Sequence, residues 1–181
     1  MMKQKRWISS VQKKGDQHAA NELISHYYQS IYAYVYKQTL NKELSLDLTQ
    51  DIFISMLQSI QQFDEKKASF KTWLYRIATY KLVDYFRSKN YTYDRSTDSM
   101  EGVEIAAPSD FTLELEWRED IEKVAQLINT FSIIDQQVLR LKLFGEQTFI
   151  EIASSLDMPE SSIKTKYYAA IKKIKHRMEA E

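Results

Sequence analysis

Residues 147–175 read QTFIEIASSLDMPESSIKTKYYAAIKKIK. Apolar side chains recur at helical spacing until Asp157 and Met158 interrupt the pattern, and Pro159 follows. Proline is favoured at the first position of a helix, so the stretch predicts a short helix, a tight turn and a second helix that opens at Pro159. Ala153 supplies the small side chain that two steeply crossing helices need at their contact. We therefore predict a helix-turn-helix.

The second helix of this motif has an apolar face and a polar face. The apolar face carries Ile163, Tyr167, Ala170, Ile171 and Ile174. The polar positions are hydroxyls and cations, namely Ser161, Ser162, Lys164, Thr165, Lys166 and Tyr168. These side chains suit DNA phosphates and major-groove base edges. An αα-hairpin with a solvated basic end has the same pattern and stays open as an alternative.

The charge of the chain is segregated, although the formal net charge is +0. Residues 64–89 hold seven cations against three acids, and residues 159–177 hold six cations against Glu160 alone. Between them, residues 94–122 hold ten acids against Arg95 and Arg118. Two basic modules that flank an acidic connector indicate an anionic partner for each module.

Helical periodicity dominates the rest of the chain, which has only 3 Gly and 2 Pro. It predicts helices over residues 17–40, 46–63 and 69–89, and then over 112–129, 135–143, 147–155 and 159–178. Residues 90–110 lack this period and contain Gly102 and Pro108. We predict an all-α protein with two small helical domains, 1–90 and 112–181, joined by a flexible acidic linker over 91–111.

The predicted third helix interleaves aromatic and basic side chains, as FKTWLYRIATYKLVDYFRSKN over residues 70–90. Helical spacing assigns Trp73 and Ile77 to the core with Phe70. Tyr80, Lys81, Asp84 and Arg87 are better candidates for an exposed face. A nucleotide base taken out of its stack needs an aromatic or apolar wall, and its phosphates need cations. The helix is therefore a second candidate nucleic-acid site.

Several classes of function are disfavoured by composition. The chain has no Cys, which excludes a disulfide framework or a thiolate metal site and suits a reducing cytoplasm. Neither a signal peptide nor a membrane-length apolar stretch is visible. The three His residues are scattered, and Glu43, Asp47 and Asp51 lack further ligands nearby, so we predict no metal site, no cofactor and no small-molecule substrate. No catalytic constellation is present, and we do not expect an enzyme.

Four motifs in order resemble the extracytoplasmic-function sigma factors, a group of the sigma-70 family. Residues 47–53, DLTQDIF, resemble the D-L-x-Q-E-x-F helix of that family. Phe63 with residues 69–78, SFKTWLYRIA, is similar to the F…(S/G)-F-x-x-W-L-x-R-I-A segment. Residues 136–141 and 150–153 resemble the region-four signature, and residues 163–166 fall where the family has V-K-S-R.

The resemblance implies a factor that binds bacterial RNA polymerase core and directs initiation at promoter DNA. Residues 1–90 would be sigma region 2 and residues 112–181 would be sigma region 4. The implied core-polymerase contacts are Asp47, Gln50, Asp51 and Ser55. The implied contacts with the −10 element are Phe63, Lys66, Lys67, Ser69, Phe70, Lys71, Arg76, Tyr80, Lys81 and Arg87. The polar positions of the helix that follows Pro159 would read the −35 element.

The resemblance also implies an anti-sigma factor as a partner. Such partners are often membrane-bound and would hold this cytoplasmic protein at the inner face of the membrane. Three positions depart from the family pattern: Tyr80 replaces a common Asn, Asp157 and Pro159 replace a common Gly and Ser, and Ala169 replaces a basic residue.

The strongest alternative is a stand-alone helix-turn-helix regulator with an N-terminal sensory domain. It would bind palindromic duplex sites as a dimer without help. A purely structural interaction protein would instead show no salt-dependent DNA affinity.

Overall fold

The computed structural model describes residues 2–90 and 121–179, and all its regular structure in these ranges is helical. The helices are α1 Met2–Lys14, α2 Gln17–Thr39, α3 Lys42–Ser59, α4 Phe70–Asn90, α5 121–129, α6 Ile133–Leu143, α7 Phe149–Leu156 and α8 Glu160–Glu179. A 3₁₀ turn, Ile60–Gln62, follows α3. The predicted all-α class is confirmed. The predicted linker, 91–111, and residues 112–120 of the next predicted helix lie outside the described residues.

Local side chains set the starts of most helices. Asp16, Asn41, Ser132 and Thr148 each accept a hydrogen bond from the backbone N–H three residues later, which satisfies one of the free donors of the first turn. Because Asn41 is such a cap, α3 begins at Lys42, one turn earlier than its apolar period indicates. Leu40 takes a left-handed conformation, with φ of 50°, to end α2.

Helix α1 was missed by the sequence analysis, which predicted no helix before residue 17. It packs on α2 and on the 3₁₀ turn, and it contributes Ile8 and Val11 to the core. Its outer positions are largely cationic, with no acid in the first turn and Lys13 and Lys14 in the last. Two apolar side chains three residues apart were the only periodic signal, and such a short signal does not distinguish a packed helix from a polar tail.

The C-terminal half contains the predicted helix-turn-helix. A capping box between Thr148 and Glu151 opens α7, and Asp157 closes it in the left-handed conformation, with φ of 53°. Helices α6 and α8 also pack around a second, smaller apolar core that contains Ile128, Leu139 and Ile174.

The two halves pack against each other, which the sequence did not predict. Val138, Leu141, Ile152 and Ile163 belong to the same buried cluster as the side chains of α2, α3 and α4. Gly145 lies so close to α4 that a Cβ there would be 3.2 Å from the Tyr75 ring. Among the described residues, the N-terminal and C-terminal helices therefore share one continuous apolar core.

Candidate nucleic-acid interface

The basic side chains of α4 divide between opposite faces of the helix. Arg76, Tyr80 and Arg87 lie on one face, and the Arg76 guanidinium stacks 5.5 Å from the centroid of the Tyr80 ring. Lys71 precedes Tyr80 by about two and a half turns, so it lies on the other side. There its ammonium is 5.6 Å from the centroid of the Tyr75 ring, on the side that faces the C-terminal half. The structure therefore separates Lys71 from the other predicted −10 contacts of α4.

An open groove of about 440 Å³ runs between α3 and α4. It is lined by Ser55, Gln58, Ser59, Gln62, Ile77, Tyr80, Lys81 and Asp84. The groove therefore combines an exposed aromatic ring, an apolar wall, side-chain amides and a cation. The sequence analysis placed Tyr80 and Lys81 here but missed Gln58, Ser59 and Gln62 as candidates. Gln58 and Ser59 end α3 and Gln62 ends the 3₁₀ turn, so the available signal was the polar run at the end of this helix.

Ser55 lies in this groove, although the sequence analysis grouped it with the polymerase-docking residues. The other members of that group, Asp47, Gln50 and Asp51, are exposed on α3. Ile54 beside them is 52% exposed, which is unusual for so large an apolar side chain. The docking candidates therefore form an acidic surface with one apolar side chain, and Ser55 lies nearer the DNA-binding candidates.

Residues 64–69 form the loop between the 3₁₀ turn and α4. Asp64 organises its start, because its carboxylate accepts from the Lys66 N–H at 2.9 Å and its carbonyl accepts from the Lys67 N–H at 3.1 Å. Ser69 ends the loop as the cap of α4, with its hydroxyl 3.1 Å from the Thr72 N–H. Lys66 and Lys67 are exposed. The loop thus presents two ammonium groups, whereas the Ser69 hydroxyl already holds the helix start.

Phe63 and Phe70 are both buried, at 9% and 4% exposure. Their rings meet edge to face, 5.2 Å apart, and each also packs on Trp73. The family resemblance implied DNA contact for both rings, whereas helical spacing assigned Phe70 to the core. The structure places them under the loop, where they support its two ends from the core.

Helix α8 presents the predicted −35 set on its first turns. Ser161, Lys164, Thr165 and Tyr168 are exposed, and Ser162 and Lys166 are partly so. Lys164 pairs with Glu160 at 2.7 Å, and this hydrogen bond raises the pKa of Lys164. Lys166 lies 3.4 Å from Asp135 of α6. Each ammonium group is therefore held by an acid that an incoming phosphate can replace.

Helix α7 touches the loop of the N-terminal half. The Ser154 hydroxyl donates to the Lys67 carbonyl at 2.6 Å. The carboxylate of Glu151 has a lowered pKa, mainly because it accepts from the Thr148 backbone N–H, and Lys71 adds a favourable charge interaction. In this arrangement α7 lies against the loop that carries Lys66 and Lys67.

Neither a metal site nor a membrane span is found in the part of the chain that the structure describes. Its His, Asp and Glu side chains form no group of three or more that could hold a metal ion. None of its helices has the length and apolar character that a bilayer span requires.

Comparisons with known proteins agree with this architecture. The Sigma-70 region 2 family matches residues 23–92. The ECF RNA polymerase sigma factor SigW of Bacillus subtilis is 32% identical over 167 residues, which cover 86% of this chain and 87% of SigW. SigX of the same organism is 25% identical over 160 residues, covering 84% of this chain and 80% of SigX. The chain therefore belongs to the ECF RNA polymerase sigma factors, which are transcription initiation factors.

Two solved structures share the fold. CnrH, determined in complex with the cytosolic domain of CnrY, superposes with a TM-score of 0.64 at 17% identity and covers 99% of this chain and 97% of CnrH. RpoE of Bartonella quintana, determined in complex with the anti-sigma factor NepR, gives a TM-score of 0.58 at 15% identity, covering 89% of this chain and 97% of RpoE. These similarities extend the shared fold across both halves of the chain.

Proposed function

We propose that this sigma factor divides promoter recognition between its two halves. Residues 1–90 bind core RNA polymerase and read the −10 element, residues 112–181 read the −35 element, and residues 91–111 connect them. The observation that carries the proposal is that each half presents its own exposed basic and aromatic surface, one along the α3–α4 groove and one on α8.

The α3–α4 groove is suited to a base that has left the DNA stack. The exposed Tyr80 ring offers a stacking surface, and Gln58, Gln62 and Asp84 offer donors and acceptors to a base edge. Arg76, Lys81 and Arg87 supply cations for the adjoining phosphates. Lys66 and Lys67 extend this charge along the loop. Because melted promoter DNA is single-stranded, a groove that binds unpaired bases favours opening of the −10 element.

The start of α8 is suited to the major groove of the −35 element. In a helix-turn-helix, the N-terminal residues of the second helix contact base edges. Ser161, Thr165 and Lys164 occupy these positions and are exposed. Lys166 and Tyr168 then lie where they reach backbone phosphates.

The acidic surface of α3 is suited to polymerase docking. Asp47, Gln50 and Asp51 surround Ile54, so the surface joins negative charge to an apolar contact. A partner for it carries basic side chains around a small apolar site.

We also propose that an anti-sigma factor binds this chain in the cytoplasm and that the chain has no catalytic activity of its own. Support comes from the two structural neighbours, one solved with the anti-sigma factor NepR and the other with the cytosolic domain of CnrY. A cytosolic partner domain requires a sigma factor in the same compartment.

The test is a reconstituted transcription assay with the purified chain, bacterial core polymerase and sheared genomic DNA. Discrete start sites that require the chain are expected, and their upstream sequences reveal the −35 and −10 elements. Identical transcripts with and without the chain, together with unaided binding to palindromic DNA, would favour the stand-alone regulator instead.

Lys164→Ala and Lys166→Ala are each expected to weaken binding of the holoenzyme to −35 duplex DNA several-fold. Each removes one cation from the DNA-binding surface, so the slope of log affinity against log salt falls by about 1. Lys173→Ala is the matched control for Lys164→Ala, because Lys173 is exposed on the same helix about two and a half turns after Lys164 and so on the opposite face. Loss of core affinity in the Lys164 or Lys166 variant would contradict the assignment.

Asp51→Arg is expected to weaken association with core polymerase by about tenfold or more. It places a cation on the α3 surface, which we propose faces basic side chains of the polymerase. Glu179→Arg makes the same change of charge at the exposed end of α8 and should leave core affinity unchanged. Fluorescence titration of labelled chain with core measures both. Equal affinities for wild type and Asp51→Arg would remove the α3 surface from the docking site.

A further inference from the structure

Helix α1 has no part in the function proposed so far, yet its polar side chains converge on one short segment. The Gln12 side-chain amide donates to the Ile60 carbonyl at 2.8 Å and to the Phe63 carbonyl at 3.1 Å. In return, the Gln61 side chain donates to the Gln12 carbonyl at 2.7 Å. Lys5 adds an exposed ion pair to Glu65 at 3.0 Å. All these contacts lie between the end of α3 and the start of the loop 64–69.

Gln12 binds one carbonyl that already has a backbone donor and one that follows the end of the turn. Ile60 opens the 3₁₀ turn, whose own hydrogen bond runs from the Phe63 N–H to the Ile60 carbonyl. Phe63 then turns into extended conformation, with ψ of 126°, and its carbonyl accepts from the Gln12 amide. Carbonyls at a helix end need a donor from elsewhere. One side-chain amide that bridges both of them fixes the angle at which the chain leaves α3.

This angle sets the position of the loop that carries Lys66 and Lys67. Ser69 holds the far end of the loop as the cap of α4, and Gln12 holds the near end. The contact of Ser154 with Lys67 comes from the other half of the chain. The Gln12 bonds lie within the N-terminal half, so they do not depend on the contact between the two halves.

We propose that Gln12 is a positioning residue for −10 recognition, which it serves by holding the start of the loop 64–69 beside the α3–α4 groove. The inference rests on the function proposed for that loop. Gln12 does not line the groove, and its hydrogen bond to the predicted −10 residue Phe63 is made to the backbone carbonyl and not to the ring. By fixing the start of the loop before DNA binds, Gln12 lowers the conformational entropy that the loop loses on binding. Its effect is therefore on affinity for the −10 strand.

The experiment uses holoenzyme assembled from the full chain and core polymerase. Two fork-junction DNAs carry the same duplex −35 element and single-stranded −10 regions, one with the native −10 sequence and one with those bases scrambled. The ratio of the two affinities measures −10 recognition, and any general change in charge or −35 binding cancels from it. Gln12→Ala is expected to lower this ratio by about tenfold, the effect of losing about one buried hydrogen bond.

Two further variants separate positioning from stability. Gln4→Ala removes an amide of the same helix that donates to the Tyr27 hydroxyl at 2.6 Å instead of to the backbone at the start of the loop, and it should leave the ratio unchanged. Gln12→Lys keeps a long donor beside carbonyl groups and should restore most of the ratio. Core affinity should be the same for all variants.

Three results would overturn the proposal. An unchanged ratio in Gln12→Ala would show that −10 recognition does not depend on the Gln12 hydrogen bonds. Equal losses in Gln12→Ala and Gln4→Ala would show a general effect of α1 on stability. If wild-type holoenzyme itself did not distinguish the two forks, the assignment of −10 reading to this half would fail first and the role of Gln12 with it.

Discussion

Truncation of Phe70 to alanine is expected to lower the free energy of unfolding by about 3–5 kcal/mol. Phe70 is 4% exposed and packs against the rings of Tyr27, Phe63 and Trp73 at centroid distances of 5.2 to 5.5 Å. Alanine would leave a cavity under the first turn of α4, which these neighbours can fill only in part. Urea unfolding followed by tryptophan fluorescence measures the change, since Trp73 reports directly on the site.

Phe70→Leu separates support of the loop from direct contact with DNA. Leucine keeps the site apolar and nearly filled, so its cost is expected to be about 1.5 kcal/mol or less. If the ring acts only from the core, the leucine variant keeps its preference for the native −10 fork over the scrambled one. A stable Phe70→Leu protein that lost this preference would instead support the direct DNA contact predicted from the sequence.

Arg140→Met is expected to lower the free energy of unfolding by about 2–3 kcal/mol. Arg140 is fully buried where α6 meets the N-terminal half, and no carboxylate of residues 2–90 or 121–179 pairs with it. Its guanidinium donates to the Gln38 side-chain oxygen at 2.6 Å and to Asn129, and it stacks 4.6 Å from the centroid of the Phe86 ring. Burial lowers the pKa of Arg140 to about 10, which shows how much hydration the charge has lost.

The cost of Arg140→Met arises mainly at Gln38. That side chain is 3% exposed, and its nitrogen already donates to the Tyr34 carbonyl, so its oxygen would be left without a donor. Contact between the methionine sulfur and the Phe86 ring offsets part of the lost cation–π attraction.

A double-mutant cycle with Gln38→Met tests this account. Once both polar groups are replaced by apolar ones, the double variant should recover much of the stability. Each stability is measured by urea unfolding of the full chain. If the losses from the single changes simply added in the double variant, Arg140 and Gln38 would not act as a pair. Two separate unfolding transitions in Arg140→Met would further indicate that the halves had come apart.

Much of the helix-turn-helix could be predicted because its signals are local. The Thr148–Glu151 capping box, the left-handed Asp157 and the apolar period of α8 all act within one or two turns of the backbone. The exposed −35 residues could be predicted for the same reason. The apolar side of α8 packs on α7, so the opposite side is exposed to solvent.

The −10 residues were predicted less completely, because exposure is a property of the packed molecule. An aromatic side chain in an amphipathic helix suits a core and a stacking surface equally well. Phe70 was assigned both to the core and to DNA contact, and only its packing against Tyr27 and Trp73 decided that it lies inside, whereas Tyr80 is 39% exposed, as its helical position indicated. Lys71 likewise shares the composition of the DNA-binding face but lies on the side turned to the C-terminal half.

By itself, the sequence determined the all-α class, the helix-turn-helix and the family, since periodicity, capping residues and motif order are encoded along the chain. Only the tertiary structure decided that α1 braces the loop at Phe63, that Ser55 belongs to the groove, and that Arg140 of one half binds Gln38 of the other. These contacts join residues 51 and 102 positions apart. No local pattern specifies such pairs, because each depends on how the helices between them pack.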